Sequence, residues 1–277
     1  MFLWQRCHTP CVTKRIGRVY RSQQPEGRML WLLCFGYTAG STELILPAGT
    51  WHGSHLKPGM PRTLQIQHGS RGKDGTGAIV WHAALILAEW LSDHPDLISG
   101  TSVLELGAGT GAVSTCAAGL GALRVTATDA CEGLCTLATD NFELNAEAFP
   151  DAELAAIQYR WGETLPEGVR SNRWDWILGA DITYSQRLHK VLCDSVHMLC
   201  AAGAASADGK VPRVLLSHTH RRGLGVPSLE SFLECAAASG LTASVLKRVD
   251  RPPPPQLAAF YGKDEIVALS IVELGLE

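Results

Sequence analysis

Three glycines at alternate positions, Gly107, Gly109 and Gly111, follow an apolar run, Val103-Leu-Glu-Leu106, that carries Glu105. Glycines so placed let a ligand approach the backbone where a Cβ would block it. A turn of this kind from a strand into a helix suits a nucleotide-containing cofactor. Downstream, Asp129 stands at the end of a second apolar run, where a carboxylate can accept hydrogen bonds from both hydroxyls of a ribose. Its competing role is local, as a cap for a helix beginning near Glu132. These residues leave the cofactor open, because Gly107, Gly109 and Ala112 also satisfy the dinucleotide pattern G-x-G-x-x-G/A, so NAD has to be argued away.

Further along, Asp181 ends another apolar run and is followed by Ile182-Thr-Tyr184. In an open parallel sheet, ligands sit outside the carboxyl ends of the strands, which places Asp181 and Tyr184 on the expected ligand face. The competing readings are a helix cap for Asp181 and a core aromatic for Tyr184. Trp161, next to Gly162, can stack on an adenine or fill the core, and Trp81 can cover a cofactor or anchor its own helix. His218-Thr-His220 puts two imidazoles on one side of a strand, but no nearby Cys or acidic cluster completes a metal site, so no metal is expected. Arg221 and Arg222 read as contacts for an acidic protein surface or as solvated charges.

The elements that must position these groups follow from the spacing of apolar residues. Strands are predicted at Ser102–Leu106, Arg124–Thr128, Ala155–Tyr159, Trp176–Ala180, Val211–Ser217, Thr242–Arg248 and about Glu265–Glu273. Helices are predicted from Ala78 to before Asp93, and at Thr110–Gly119, Glu132–Ala146, Gln186–Ala202 and Ser228–Ser239. This alternation predicts an α/β fold: a Rossmann-like, seven-stranded, mostly parallel sheet with helices on both faces. No helix is evident around Pro252–Pro255, so the final strand should return as an antiparallel one, with the four prolines forming a stiff surface loop. Ahead of this domain (77–277), residues 41–76 suggest a small strand-and-turn element, with Ser70–Gly77 as a flexible connection. Residues 1–40 have no sustained period and are left unassigned, as a possibly disordered N-terminus.

Hydrophobic residues make up 46% and charged residues 18% of the 277, enough for a large core and too few charges for a disordered chain. A formal charge of −3 gives no electrostatic footprint for nucleic acid, and no apolar run approaches the length of a membrane span. The nine cysteines include no C-x-x-C pair and read as reduced thiols of an intracellular protein. A cytoplasmic monomer is expected. Arg6, Lys14, Arg15, Arg18 and Arg21 all precede the first acid, Glu26, so the start resembles an organelle transit peptide, against the alternative of a disordered start.

Gly77-Ala-Ile-Val-Trp81-His-Ala-Ala84, Val103–Gly111, Thr128-Asp129, Trp161-Gly162 and Leu178-Gly-Ala-Asp-Ile-Thr-Tyr184 occur in one order along the chain. In this combination the sequence resembles the seven-β-strand protein-lysine methyltransferases that modify chaperones and translation factors, from about Leu64 to Glu273. The resemblance implies S-adenosyl-L-methionine as cofactor, with Trp81, Glu105, Gly107, Ala108, Gly109, Asp129, Trp161 and Ala180 around it. It also implies that Asp181 and Tyr184 border the channel for a substrate lysine, and that the partner is a protein. His82 stands where the family usually has Asp, which bears on substrate preference more than on cofactor binding. Alternatives of the same fold are a protein-histidine, small-molecule or nucleic-acid methyltransferase, the last disfavoured by the absence of paired prolines after Asp181. An NAD oxidoreductase and a degenerate methyltransferase used as a binding scaffold are the remaining alternatives.

Overall fold

A computed structural model describes residues 35–38, 40–46, 62–70, 75–206, 208–221, 227–254, 257–261 and 265–277. Its first three strands, β1 (Phe35–Thr38), β2 (Ser41–Leu46) and β3 (Arg62–Gln67), form a small antiparallel sheet in that order. β1 lies within the stretch that the sequence leaves unassigned. A 3-10 turn at Gly75–Ala78 leads to helix α1 (His82–Asp93), which starts later than its apolar period suggests, and the one-turn α2 (Pro95–Ile98) follows. The main domain then alternates β4 (Ser102–Leu106), α3 (Ala112–Gly119), β5 (Arg124–Asp129), α4 (Glu132–Leu144), β6 (Glu153–Gln158), the short α5 (Glu167–Arg170) and β7 (Trp176–Ala180). It finishes with α6 (Gln186–Ala204), β8 (Arg213–His220), α7 (Leu229–Ala238), β9 (Leu241–Arg251), α8 (Ala258–Tyr261) and β10 (Val267–Leu276).

The seven strands β4 to β10 make one sheet in the order β6-β5-β4-β7-β8-β10-β9. The pairs among β4 to β8 are all parallel, and β10 runs antiparallel to both β8 and β9. The mostly parallel, Rossmann-like sheet with an antiparallel final strand is therefore the architecture. Strand order reverses between β4 and β7, the place where sheets of this type bind their ligands.

Successive strand residues point to opposite faces, and the two cores divide accordingly. Val103, Val125, Trp176, Leu178 and Leu215 face α1 and α3, whereas Leu104, Leu106, Ile177, Val214 and Leu216 face α6 and α7. Because both faces are covered, these strands read as continuous apolar runs, and for that reason their positions are visible in the sequence.

The small sheet is fastened to the domain by two kinds of contact. Leu44, Leu46, Leu64 and Ile66 enter the α1–α3 core, and the Leu46 and Leu64 methyls pack where a side chain at Gly119 of α3 would stand. Along the edge of β3, Asn141 of α4 and Asn145, the C-cap residue of that helix, act as a substitute strand. Asn141 Oδ1 accepts from the Gln67 N–H at 2.7 Å while its Nδ2 donates to the Gln67 carbonyl at 3.1 Å. Asn145 does the same for Gln65, at 2.8 Å each way. Four residues of helix advance about 6 Å and two residues of strand about 6.8 Å, so an i, i+4 pair on α4 matches an i, i+2 pair on β3. Among the described residues no helix is long and apolar enough to cross a membrane.

The proline segment differs from its expected form. Pro253 and Pro254 are buried, Leu257 is fully buried, and the segment ends in the helical turn α8, which carries the buried Tyr261. Proline is a local turn former, but here the segment packs on the α1–α3 core and returns the chain across the ligand end of the sheet.

Candidate active site

At the carboxyl ends of β4, β5 and β7 lies a cavity of about 340 Å³, within the range of pockets that hold small molecules. Its walls bring together Trp81, Glu105, Gly107, Ala108, Gly109, Asp129, Trp161, Ala180, Asp181 and Tyr184, each singled out above.

The glycine turn is the floor. Gly107 and Gly109 have φ of +64° and +55°, in the left-handed region that only glycine enters without strain. Space is as restrictive as conformation: a Cβ on Gly109 would stand 2.6 Å from the Gly77 carbonyl oxygen, and one on Gly107 would stand 2.7 Å from Ile182 Cγ2. Gly77 is therefore part of the site. The Ser70–Gly77 stretch, read from sequence as a flexible link, ends in a packed turn against Gly109.

Asp129 ties this floor to the next strand. Its Oδ2 accepts from the Gly109 N–H at 3.1 Å and its Oδ1 from the Cys131 N–H at 3.0 Å. The second bond is a local turn contact to the N–H of Cys131, the residue that precedes α4, and caps no N–H of the helix itself. Each oxygen has two lone pairs, so acceptor capacity for a diol remains on both. Burial raises the Asp129 pKa, and the N–H groups of Cys131 and Gly109 oppose that shift.

Glu105 is buried below the turn, and its Oε2 accepts from the Ser114 N–H at 2.8 Å and the Ser114 hydroxyl at 2.5 Å. Burial pushes its pKa up to about 7 from 4.5, against the effect of the Ser114 bonds. A folded-state pKa above the unfolded one contributes stability that is complete below pH 4.5 and is lost as pH rises through about 7. Glu105→Gln removes this loss. Relative to wild type, the variant is expected to gain about 2.5 kcal/mol between pH 5 and pH 8. Urea unfolding at the two pH values measures the difference, and an equal offset at both would contradict the assignment.

The walls are aromatic. Trp81, at the N-cap position of α1, donates its Nε1–H to the Thr76 carbonyl at 2.7 Å, and its ring meets Phe260 at 5.5 Å between centroids. Trp161 is half-buried, its Cζ2 3.2 Å from where a Gly107 Cβ would lie. Its loop is held by a residue that no local pattern marks: Ser195 of α6 accepts from the Gly162 N–H at 3.2 Å and from the Tyr159 hydroxyl at 3.0 Å. Tyr184 is exposed at the mouth, beside Leu188 and Val191 from the first turns of α6.

Asp181 is the strained residue. Its φ is +57°, and among the described residues it is the one non-glycine with positive φ. Such strain persists only where the surroundings determine it. Its N–H donates to the Ser217 carbonyl of β8 at 2.8 Å, and two residues on, Thr183 is held on both sides. The Thr183 hydroxyl bonds His218 Nδ1 at 2.7 Å, and the Thr183 carbonyl lies 2.9 Å from His189 Nε2. Both carboxylate oxygens of Asp181 accept from Arg221, one at 3.1 Å and the other in a shorter contact. Arg221 is thus neither solvated nor a free contact for an acidic partner, correcting the sequence expectation. β7 and β8 are parallel neighbours with Ala180 opposite Ser217, which brings the ends of both strands to the same place.

The histidines serve structure. His218 is buried and held near neutrality by a pKa pushed down to about 3, mainly by burial, and its ring meets His220 edge-on at 4.8 Å. His220 bonds the Ser270 hydroxyl at 2.9 Å. His82 is also buried, its pKa lowered to about 3 by burial and then by Arg251, and Nδ1 has no partner among the described residues. It brings no charge to the head of α1, whereas an aspartate would.

Comparison with known proteins adds the chemistry. Residues 60–223 match the lysine methyltransferase family. The mouse protein N-lysine methyltransferase METTL21A is 36% identical over 139 residues, half of this chain and 62% of that protein. Mouse protein-lysine methyltransferase METTL21E is 34% identical over 157 residues, covering 54% of this chain and 60% of that one. The protein-lysine N-methyltransferase EFM3 of Chaetomium thermophilum is 37% identical over 116 residues, 39% of this chain and 34% of the relative. The chain therefore spans less than two thirds of the length of each of these relatives.

Proposed function

Since the chain belongs to the lysine methyltransferase family, we propose that it transfers methyl groups from S-adenosylmethionine to a lysine side chain of a non-histone protein, such as a chaperone or translation factor. The observation that carries this reading is the single cavity in which a glycine floor and the Asp129 carboxylate lie beside Asp181 and Tyr184. Its residues fit the cofactor. Gly107 and Gly109 leave backbone bare where a Cβ would intrude, Asp129 retains acceptor capacity for a ribose diol, and Trp161 offers an aromatic face for a base. When bound, S-adenosylmethionine supplies an electrophilic methyl group on a sulfonium.

The chain's own residues then have three tasks. The first is alignment, since displacement at carbon needs the amine in line, and a fixed geometry contributes much of the rate. The Tyr184 hydroxyl at the mouth and the Asp181 segment locked to β8 are the aligning groups. The second is exclusion of water, provided by Trp81, Trp161, Leu188 and Val191. The third is deprotonation. A lysine with an ordinary pKa of about 10.4 is charged and cannot attack, and an apolar channel favours its neutral form. No strong general base is required.

Labelled S-adenosylmethionine incubated with the protein and cell lysate tests the reading. Label on lysine of one or a few proteins is the expected result, and label on histidine, on nucleic acid or on nothing overturns it. Asp129→Ala is the companion variant. Its S-adenosylhomocysteine affinity by calorimetry should fall by about 1.5–3 kcal/mol, the range for hydrogen bonds to a charged acceptor. Unchanged affinity contradicts the ribose role.

A further inference from the structure

The ion pair of Asp181 with Arg221 bears on a question that the family assignment leaves open: in which charge state the acceptor amine is received. Asp181 lines the cavity, and a lone carboxylate there would hold an incoming lysine as ammonium, the unreactive form. The carboxylate is not alone. Arg221 engages both its oxygens, and the two side chains are only 10% and 5% exposed. The guanidinium carbon also lies 5.5 Å from the centre of the Trp81 ring, so the cation is held between the carboxylate and an aromatic wall of the same cavity.

We propose that Arg221 is a positioning residue that neutralises Asp181 and so makes the acceptor channel select the uncharged lysine amine. This rests on the lysine methyltransferase reading above. Other charged and titratable groups near the pair are few. From β8, His218 is held neutral with the His220 ring beside it, and Glu230 of α7 acts on both histidines. From α8, Tyr261 feels both charges, and burial raises its pKa above 10. Tyr184 stands at the mouth. Burial works most strongly against the charge of Arg221 itself, but Asp181 and Tyr261 together raise the guanidinium pKa above its ordinary value. Glu105, in the same cavity, has a pKa of about 7 and is common to every variant, so between about pH 6.5 and 9.5 the difference between variants reports the amine, the group whose titration the pair controls.

The sign follows. With Arg221 removed, the freed carboxylate stabilises the ammonium, so the bound amine titrates at higher pH, transfer slows at neutral pH, and the acceptor binds more tightly. The test is the initial rate of lysine labelling of lysate protein from labelled S-adenosylmethionine, recorded from pH 6.5 to 9.5 at several lysate concentrations. In Arg221→Met the rising limb should move up by about one pH unit, with roughly tenfold slower transfer at pH 7 and a lower half-saturating lysate concentration. Arg221→Lys, which keeps the charge, should stay close to wild type. Asp181→Asn combined with Arg221→Met, which removes both charges, should bring the limb back. S-adenosylhomocysteine calorimetry identifies folded variants, and the lysine and double variants carry the test if Arg221→Met fails to fold. A limb in the same place in every folded variant, with rates lowered evenly at all pH values, overturns the proposal and leaves the function standing. Wild type that labels no lysine overturns both.

Discussion

Gly109→Ala is expected to abolish S-adenosylhomocysteine binding and to lower the melting temperature by roughly 10 °C. Two costs combine. An alanine at φ +55° pays for the left-handed backbone, about 1–3 kcal/mol. Its Cβ would also stand 2.6 Å from the Gly77 carbonyl oxygen, a backbone atom that cannot swing aside, and overpacking of this kind costs about 1–3 kcal/mol. The sum converts at about 2–4 °C per kcal/mol for a chain near this size. Gly100→Ala separates the two costs. Gly100 has φ +78° with nothing within 4 Å of its would-be Cβ, so it should lose only the conformational part and keep full affinity. Thermal melts of the three proteins with and without S-adenosylhomocysteine decide the matter. A Gly109→Ala melting point equal to that of Gly100→Ala would mean that the Gly77 turn yields and the packing account is wrong.

Asn141→Ala is the second large effect, expected at about 2–4 kcal/mol. The side chain is fully buried, and its loss strands the Gln67 N–H and carbonyl together with the Thr110 carbonyl, which accepts from Asn141 Nδ2 at 2.9 Å. Each buried polar group left unpaired costs about 1–3 kcal/mol, and Gln67, which lies in a more exposed setting, recovers part of its share from water. Asn145→Ala should destabilise too, since it strands both backbone groups of Gln65. The two variants separate on cofactor affinity. Asn141 reaches Thr110 in the glycine turn and Asn145 does not, so Asn141→Ala should weaken S-adenosylhomocysteine binding while Asn145→Ala leaves it unchanged. Denaturant unfolding with calorimetry on both variants measures this. Equal affinity losses would mean that the small sheet does not act on the site through Asn141.

The parts of this protein visible in its sequence are those set by local pattern. Ser102–Leu106 and Trp176–Ala180 are strands at the predicted bounds because both of their faces are buried and every residue is constrained. Asp129 and Asp181 are legible because strand ends in such a sheet have few uses besides ligands and caps, and both line the cavity, Asp129 without capping α4. What escapes is set by partners distant in the chain. Arg221 finds Asp181 across forty residues, Asn141 finds Gln67 across seventy-four, and no local signal in either marks the meeting. Gly77 shows the same limit from the other side. In a glycine-rich stretch it resembles a link, and only the approach of Gly109 shows that a side chain would not fit. The burial of the proline segment is not legible, because proline reports backbone shape and says nothing of burial. A sharper signal was available for Arg221, which follows a strand that neighbours the Asp181 strand in a parallel sheet.

The place of β10 in the sheet has a consequence for how the chain reaches this structure. Among the described residues β9 bonds only to β10, and β8 reaches β9 only through it, so the last of these strands in sequence lies between two that precede it. Until β10 pairs there, β8 has an open edge beside the ion pair, and the eleven residues of β9, with Val245 and Leu246 exposed, have no partner in the sheet. Pairing of this non-local kind is slow, and unpaired edges recruit other chains. Lys247, Arg248 and Asp250 put charge on that edge during the wait. Arg221 follows His220, which pairs with Ala268 at the start of β10, so the acceptor side of the pocket lies beside this last strand, whereas the glycine floor rests on the β4–β5 pair farther across the sheet.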